Sequence, residues 1–381
     1  MTMTFPLDGV KVVDLTQYVA GPYCTQVLAD LGAAVLKIER PSSGDVYRRQ
    51  GPVFKQGEST SFLTLNRGKR SIELDFRDER GRERLLQLIG DADVLVENTR
   101  PGGLARFELD YRSLSRRFPE LIYCSISGFG QEGPLAQSGG YDLTIQALSG
   151  LMSMTGQPGG PPAKIPIAAL DFGSALYGVV GILAALRQRE MTGRGQWVKT
   201  SILECALAWL SMHIVTLLLG GEEPAPLGTR SPFFAPYEAY RTADGYLVVV
   251  GTGGTDSWGD LCRSLGLERL IDDPRFATNS DRVSNAEALR EEIEQVLARA
   301  PTDHWVEILA AAGIACAPVQ RLSAVLASEQ VEALEMVRSL VHPTAGPIPS
   351  VRLPLRLSEA PVTVSEPPPL LGDHNGRGFK D

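Results

Sequence analysis

The chain is predicted to be an α/β protein with a large, mainly parallel sheet and a second, smaller α+β domain. Strand and helix patterns alternate through the first 200 of its 381 residues, which is typical of parallel sheets with crossover helices. A Gly- and Pro-rich stretch at 220–226 then separates this region from a hairpin pattern at 237–250. The length is sufficient for two domains with substantial cores.

Short apolar runs predict the strands, and the amphipathic or apolar segments between them predict the helices. The expected strands lie at 10–15, 34–39, 70–75, 92–98, 121–127 and 196–201. Helices are expected at 23–31, 79–89 and 171–189, the last a central buried helix because it is apolar nearly all round. Ligands bind beyond the carboxyl ends of parallel strands. The candidate site positions are therefore residues 16–21, 39–40, 98–103 and 128–130.

The later part of the chain has a different pattern. A turn at Ala243-Asp-Gly245 predicts the hairpin, and helices are expected at 257–264, 285–297 and 302–312. The most apolar segment, at 205–219, is interrupted by polar residues and is short for a membrane span. We expect it to form a buried or interfacial helix.

Composition restricts the class of partner. A net charge of −8 argues against nucleic acid or an anionic membrane. The five cysteines are scattered without disulfide or zinc spacing, and the four histidines are widely separated, so no metal site is expected. The amino terminus lacks the basic and apolar regions of a signal peptide. These features predict a cytoplasmic protein with reduced thiols.

Asp171 is the most informative single residue. It follows the proline-broken loop 164–170 and precedes the apolar stretch 172–186, where a helix should begin. An aspartate there is either an N-cap or a catalytic group, and position alone favours the cap. The tripeptide Asp171-Phe-Gly173 also matches the magnesium-binding motif of protein kinases. No His-Arg-Asp catalytic loop precedes it, which excludes a kinase.

Taken together and in order, several segments resemble the class III CoA-transferase (CaiB/BaiF) family. This family includes formyl-CoA transferase and the related α-methylacyl-CoA racemases. Each segment alone is weak evidence, but the ordered set is specific and covers nearly the whole chain. The matching segments are 6–15, 20–22, 31–40, 66–75, 96–98 with 101–102, 127–134, 140–142, 192–196 and 370–374.

The resemblance implies an architecture that no pattern in the chain could have shown. It implies a large Rossmann-like CoA-binding domain, a small α+β domain placed late in the chain, and a C-terminal return to the large domain. It also implies a homodimer in which two ring-like chains interlock. The corresponding ranges are 1–200 for the large domain, 201–225 for a linker helix, 226–325 for the small domain and 326–381 for the return.

The resemblance also implies a reaction. Asp171 matches the family's nucleophilic aspartate, which would move CoA from an acyl-CoA thioester to a free carboxylic acid through an aspartyl mixed anhydride and an enzyme–CoA thioester. A helix N-terminus would keep this carboxylate ionised. Tyr141 would orient the acyl group or the acceptor. CoA is a substrate here, and no permanently bound cofactor is implied. The implied CoA contacts are Val19, Ala20, Arg40, Leu74, Arg77, Asn98 and Arg106.

Two alternatives remain open. The racemase branch has a histidine where this chain has Tyr141, and a tyrosine with a pKa of about 10 is poorly matched to proton abstraction near neutrality. Transfer is therefore favoured over α-proton exchange on a 2-methylacyl-CoA or over a non-catalytic CoA-binding relative. Arginine binds carboxylates bidentately. Arg48, Arg49 and Arg230 are therefore hypothetical ligands for the far carboxylate of a dicarboxylic acid.

Overall fold

A computed structural model of the chain describes residues 4–251, 257–362 and 366–379. The chain divides into two compact units. The first comprises residues 1–152, 164–223 and 332–381, and the second comprises residues 153–163 and 224–331.

Strands and helices are numbered in chain order over the described residues. The strands are β1 (Lys11–Asp14), β2 (Ala34–Glu39), β3 (Phe54–Lys55), β4 (Glu58–Ser59), β5 (Lys69–Glu73), β6 (Val94–Glu97), β7 (Ile122–Ser127), β8 (Trp197–Ser201), β9 (Tyr237–Arg241), β10 (Tyr246–Val250), β11 (Ala315–Pro318), β12 (Val337–His342) and β13 (Gly346–Val351). The α-helices are α1 (Ala20–Asp30), α2 (Thr60–Leu65), α3 (Glu79–Gly90), α4 (Tyr111–Arg117), α5 (Asp142–Leu148), α6 (Ala169–Thr192), α7 (Ile202–Trp209), α8 (Ser211–Leu218), α9 (Ser257–Leu265), α10 (Asn279–Ser284), α11 (Ala286–Leu297), α12 (Thr302–Ala311), α13 (Leu322–Leu326) and α14 (Glu329–Ala333). Short 3-10 helices lie at Val46–Arg48, Ala105–Phe107 and Glu268–Leu270.

The first unit is built on a six-stranded sheet with the order β5-β2-β1-β6-β7-β8. Every neighbouring pair is parallel, which confirms the predicted mixed α/β fold with a parallel sheet. The chain first builds outward from β1 through β2 and β5. It then returns to the other side of β1 with β6. That reversal opens a crevice at the carboxyl ends of β1 and β6, the position at which such sheets bind ligands.

Helix α6 crosses one face of this sheet and packs against α1, β7 and β8. Two glycines permit the close approach: a Cβ on Gly178 would lie 3.2 Å from the sulfur of Cys24, and one on Gly181 would lie 2.5 Å from a methyl of Val198. By length and composition α6 could cross a membrane, but half of its most apolar window is buried within the chain. The prediction of burial on all sides is corrected, because Val180 and other apolar side chains on one side are exposed.

The apolar segment predicted at 205–219 forms two helices, α7 and α8, that meet at Leu210. Its side chains are less buried than expected. Together with α6 they present an exposed apolar face, which we call the α6–α8 face. Its exposed residues are Leu176, Tyr177, Val180, Leu183, Leu207, Trp209, Met212, Val215, Leu217, Leu218 and Leu219.

The second unit contains the predicted hairpin. Strands β9 and β10 pair antiparallel, with Tyr246 opposite Arg241, and β11 adds to the other edge of β10. The buried guanidinium of Arg282 donates to the carbonyls of Ala235 at 2.8 Å and Phe276 at 3.0 Å, which satisfies a cation placed in an apolar core.

Candidate active site

A cavity of about 220 Å³ opens at the carboxyl ends of β1, β6 and β7. It brings together five residues that the sequence singled out. These are Asp171 and Tyr141, predicted to be catalytic, and Val19, Ala20 and Asn98, predicted to contact CoA. Segments 150 residues apart in the chain therefore meet where the parallel sheet predicts a site.

Asp171 is not the N-cap that its position suggested. The helix begins two residues earlier, at Ala169, and Ala168 occupies the cap position without a side-chain hydrogen bond. The capping role is taken by Asp142 at the start of α5. Its Oδ2 accepts hydrogen bonds from the amides of Leu170 at 2.8 Å and Asp171 at 3.3 Å. A carboxylate distant in sequence thus accepts hydrogen bonds from two backbone amides in the first turn of α6, and the side chain of Asp171 is left to line the cavity.

The surroundings of Asp171 disfavour its charge. Burial, and then the negative charge of Asp142, raise the pKa of the Asp171 carboxyl from 3.8 to about 7. None of the hydrogen bonds found among the described residues reaches its carboxylate oxygens. The expectation that the helix start keeps this group ionised is corrected, because Asp142 already occupies the helix amides. A buried carboxylate without hydrogen-bond donors is a more basic nucleophile than a solvated one.

Two tyrosines, Tyr18 and Tyr141, line the cavity, and a third, Tyr47, contacts Tyr18. The ring of Tyr18 meets those of Tyr47 and Tyr141 edge-on, with centroids 5.7 Å and 6.1 Å apart. Burial, and then the charge of Asp171, raise the pKa of Tyr47. Tyr18 adopts φ 68°, a left-handed conformation that a non-glycine residue takes at a cost of roughly 1 kcal/mol. Backbone strain of this kind clusters at functional sites.

The strained turn between β1 and α1 is held by polar groups on either side. Asn98 closes a reciprocal pair with Gln17: its Oδ1 accepts from the Gln17 amide at 2.9 Å, and its Nδ2 donates to the Gln17 carbonyl at 2.7 Å. The side-chain amide of Asn98 is therefore engaged in shaping the turn.

Buried charges support the same turn from within the sheet. Lys37 donates to the Thr16 carbonyl at 2.8 Å and pairs with Asp45 at 2.9 Å. Asp45 in turn accepts from the amides of Tyr47 at 2.9 Å and Tyr18 at 3.4 Å. A wholly buried ion pair thus fixes the backbone of two tyrosines at the cavity.

Asp14 extends this buried cluster. Burial would raise its pKa, but Lys37 and Lys69, with hydrogen bonds from Thr16 and Thr25, outweigh that effect and lower the pKa to about 2. Burial, only partly offset by Asp14, lowers the pKa of Lys69 to about 8. The cluster is therefore stable only as a set, because each charge has its counter-charge inside the protein.

The other predicted CoA contacts lie apart from the main cavity. Arg40 and Leu74 line a small cavity of about 80 Å³ next to it, and Thr99 lines both. Arg77 is exposed and pairs with Asp75 at 2.6 Å. Arg106 is exposed, with its guanidinium 4.6 Å from the centre of the Phe107 ring.

The three arginines hypothesised to bind a substrate carboxylate line neither of these two cavities. Arg48 pairs with Glu39 at 2.7 Å and lies over the Phe62 ring, so its charge is neutralised within the chain. Arg49 is exposed at the surface. Arg230 belongs to the second unit and pairs there with Glu287 at 3.2 Å.

Four residues at the site were not singled out from the sequence. Tyr18 and Arg100 fall within the strand-exit segments, and Asp142 is the neighbour of Tyr141, so position alone could have suggested them. Tyr47 carries no signal in the sequence, because it lies on a short 3-10 helix and adjoins the site only through its ring contact with Tyr18. Arg100 is the only cation among the described residues that line the main cavity.

Comparisons with known proteins agree with this geometry. The profile described as CoA-transferase family III matches residues 7–375. The chain is 38% identical over 376 residues to succinyl-CoA:glutarate CoA-transferase of Mus musculus, covering 99% of this chain and 86% of the relative. It is 37% identical over 378 residues to succinate–glutarate CoA-transferase of Agrobacterium fabrum, covering 98% and 94%. A CaiB/BaiF family protein from Brucella suis, 39% identical, superposes with a TM-score of 0.85 over 97% of both chains. The chain therefore belongs to CoA-transferase family III, and it is an enzyme that transfers CoA from an acyl-CoA thioester to a free carboxylic acid.

Proposed function

We propose that Asp171 is the nucleophile of this transfer. Its carboxylate attacks the carbonyl carbon of the bound acyl-CoA, the C–S bond breaks, and CoA leaves as a thiolate. The product is an acyl-aspartyl anhydride. The thiolate then attacks the aspartyl carbonyl and expels the donor acid, which leaves CoA attached to Asp171 as a thioester.

The acceptor acid completes the exchange by the reverse steps. Its carboxylate attacks the aspartyl thioester and releases the CoA thiolate, which attacks the acyl carbon of the new anhydride and frees Asp171. No net proton or redox equivalent is consumed. The observation that carries the proposal is the placement of Asp171, a half-buried carboxylate in the wall of the 220 Å³ cavity that accepts none of the hydrogen bonds among the described residues.

The surrounding sheet supports a long, phosphate-bearing ligand. We infer a Rossmann-like arrangement from the strand order, in which β6 returns beside β1. Thr99 lines the main cavity, the small cavity beside Arg40 and a third cavity of about 290 Å³, so the three form a row along the carboxyl edge of the sheet. We propose that CoA lies along this edge. Arg40, Leu74, Arg77 and Arg106 then remain its candidate contacts, beside the backbone of Val19, Ala20 and Asn98.

We propose dicarboxylic acids of four or five carbons as the exchanged acids. The relatives named for succinyl-CoA and glutarate are 37–38% identical over nearly the whole chain. Arg100 supplies the cation that a second carboxylate requires, because it lines the cavity beside Asp171. In this proposal it replaces Arg48, Arg49 and Arg230 as the acceptor ligand.

We also propose the homodimer implied by the family. The α6–α8 face supports it, because α6 packs against α7 and α7 against α8, and exposed apolar side chains grouped on neighbouring helices mark an interface between proteins. Light scattering coupled to size exclusion should give twice the chain mass of 41.2 kDa. A monomer at micromolar concentration would contradict the proposal.

One assay tests the transfer and its nucleophile together. Three incubations are made in D₂O, namely succinyl-CoA with glutarate, succinyl-CoA with a monocarboxylic acid, and a 2-methylacyl-CoA alone, and the products are followed by mass spectrometry. Glutaryl-CoA is expected, without deuterium at the α-carbon. Deuterium uptake without new acyl-CoA would instead indicate the racemase reaction.

Asp171→Ala should abolish glutaryl-CoA formation. Asp303→Ala is the matched control, because Asp303 is likewise an acidic residue in the first turn of its helix, α12, but is exposed and belongs to the second unit. Turnover retained in Asp171→Ala would remove Asp171 as the nucleophile while leaving the transferase activity intact.

A further inference from the structure

Asp142 has no part in the transfer steps above, yet it makes the most specific contacts next to the nucleophile. Its Oδ2 accepts from the amides of Leu170 and Asp171 at 2.8 Å and 3.3 Å. Its Oδ1 accepts from the side-chain amide of Gln146, one turn further along α5. Gln146 is fully buried, and its Oε1 accepts from the Ile165 amide at 3.0 Å. One carboxylate therefore joins α5, the loop before α6 and the first turn of α6.

We infer that Asp142 is a positioning residue for the transfer: it fixes the first turn of α6 so that Asp171 faces the cavity, and its charge keeps the nucleophile basic. This inference rests on the proposed role of Asp171. Two effects are involved, and they are physically separable. The geometric effect needs only a hydrogen-bond acceptor at this position. The electrostatic effect needs the negative charge.

The geometric effect follows from the helix termini. The amides of the first turn have no partner within the helix and attract an anion. Without Asp142 the nearest anion for them would be Asp171 itself, whose backbone amide is one of the two. An aspartate in the first turn that folds back onto its own helix end is a cap and not a nucleophile. Asp142 removes this competition.

The electrostatic effect follows from the groups around Asp171. Asp142 from α5 is the nearest full charge and is negative. Tyr47 from the 3-10 helix and Cys205 from α7 are neutral near pH 7, because burial raises the pKa values of both groups above their ordinary values. Arg100 at the cavity wall is exposed, so solvent screens it. Burial is the larger cause of the raised pKa of Asp171, and the negative charge of the half-buried Asp142 adds to it, raising the pKa to about 7.

Asp142→Asn separates the two effects, because the asparagine carbonyl can still accept from the α6 amides while the charge is lost. Its side-chain NH₂ would then face the NH₂ of Gln146. The double variant Asp142→Asn/Gln146→Glu restores that hydrogen bond and moves the charge one helical turn along α5, to position 146. Asp78→Asn is the matched control, because Asp78 caps α3 through the Gly81 amide at 2.7 Å and lines neither the main cavity nor the small cavity beside it.

The titration of Asp171 tests the inference without relying on turnover. Aspartate is labelled with ¹³C at the side-chain carboxyl, and spectra of the wild type and of Asp171→Asn identify the Asp171 signal. We expect a midpoint near 7 in the wild type. In Asp142→Asn it should fall by about one pH unit, and less in the double variant. An unchanged midpoint in a folded Asp142→Asn protein would overturn the electrostatic role.

The rate of transfer provides the second readout. The acidic limb of the kcat/KM profile should move with the Asp171 midpoint in Asp142→Asn and stay in place in Asp78→Asn. Asp142→Ala, which loses both effects, should lower kcat about tenfold or more with little change in the KM for acyl-CoA. If Asp142→Asn and Asp142→Ala lowered kcat equally, and neither shifted the acidic limb of the kcat/KM profile, Asp142 would be only a structural cap of α6. If no CoA becomes attached to Asp171 in the wild type, the proposed function fails, but the titration still decides whether Asp142 sets the Asp171 pKa.

Discussion

Replacing Asp171 with asparagine should make the protein more stable, and the gain should depend on pH. The pKa of this carboxyl rises from 3.8 in an unfolded chain to about 7 in the folded protein. A shift of this size corresponds to at most about 4 kcal/mol of folding free energy. Because the folded pKa is the higher one, the folded state binds the proton more tightly. The free energy of unfolding of the wild type therefore falls as the pH rises from about 4 to about 7, and the loss is constant above that.

Asp171→Asn keeps the shape of the side chain and removes the ionisation. The free energy of unfolding of this variant minus that of the wild type should be near zero at pH 4. At pH 8 the difference should approach its upper limit of about 4 kcal/mol. Urea unfolding followed by circular dichroism at several pH values measures this difference, with Asp303→Asn as the control. A difference independent of pH, or a variant less stable than the wild type at pH 8, would refute the reasoning.

Four further predictions follow from the structure. Asp14→Asn leaves Lys37 and Lys69 buried with one counter-charge fewer. The free energy of unfolding, measured in urea, should therefore fall by about 3–5 kcal/mol. A fall below about 1 kcal/mol would contradict the view that the buried charges are stable only as a set. Gly140→Ala should lower kcat by about 100-fold, while circular dichroism should show that the fold is retained. The reason is that a Cβ at this position would lie 2.5 Å from the Cα of Gly128, so the backbone must shift and displace the adjoining Tyr141. An unchanged kcat would contradict this prediction. Arg100→Gln should raise the KM for glutarate more than the KM for a monocarboxylic acid. Arg49 is exposed and lines neither the main cavity nor the small one beside it, so Arg49→Gln should change neither KM. Equal effects of Arg100→Gln on both acids would remove Arg100 as a dicarboxylate ligand. The kcat/KM of the wild type should fall below a pH of about 7 as Asp171 becomes protonated, and a profile flat down to pH 5 would contradict the raised pKa.

The elements that form the sheet were predictable because their signals are local. Each strand of the large sheet, such as β2 at Ala34–Glu39, is a short apolar run bounded by turn residues, and its position was predicted within two residues. The location of the site followed from the same pattern, since parallel strands present their carboxyl ends along one edge. Val19, Ala20 and Asn98 lie in these strand-exit segments, whereas their role as CoA contacts was implied by the family resemblance.

The start of α6 shows why the remainder could not be predicted. Sequence favoured Asp171 as the cap because the helix appeared to begin there. The actual partner of the first turn is Asp142, 29 residues earlier in the chain, and no local pattern encodes such a contact. The pKa of Asp171 has the same origin, because it depends on burial and on that second carboxylate. Tyr47 is held beside Tyr18 by the hydrogen bond from its amide to the buried Asp45, and Arg48 is paired with Glu39. These are tertiary effects that composition and spacing do not contain.

The most direct test of the central claim is the mass of the peptide that contains Asp171 after the enzyme is mixed with succinyl-CoA and quenched without an acceptor acid. A covalent CoA thioester on Asp171 is predicted, which glutarate should discharge to glutaryl-CoA and which should be absent in Asp171→Asn. A wild-type enzyme that forms glutaryl-CoA while no CoA is ever found on Asp171, or while CoA is found on another residue, would contradict the account.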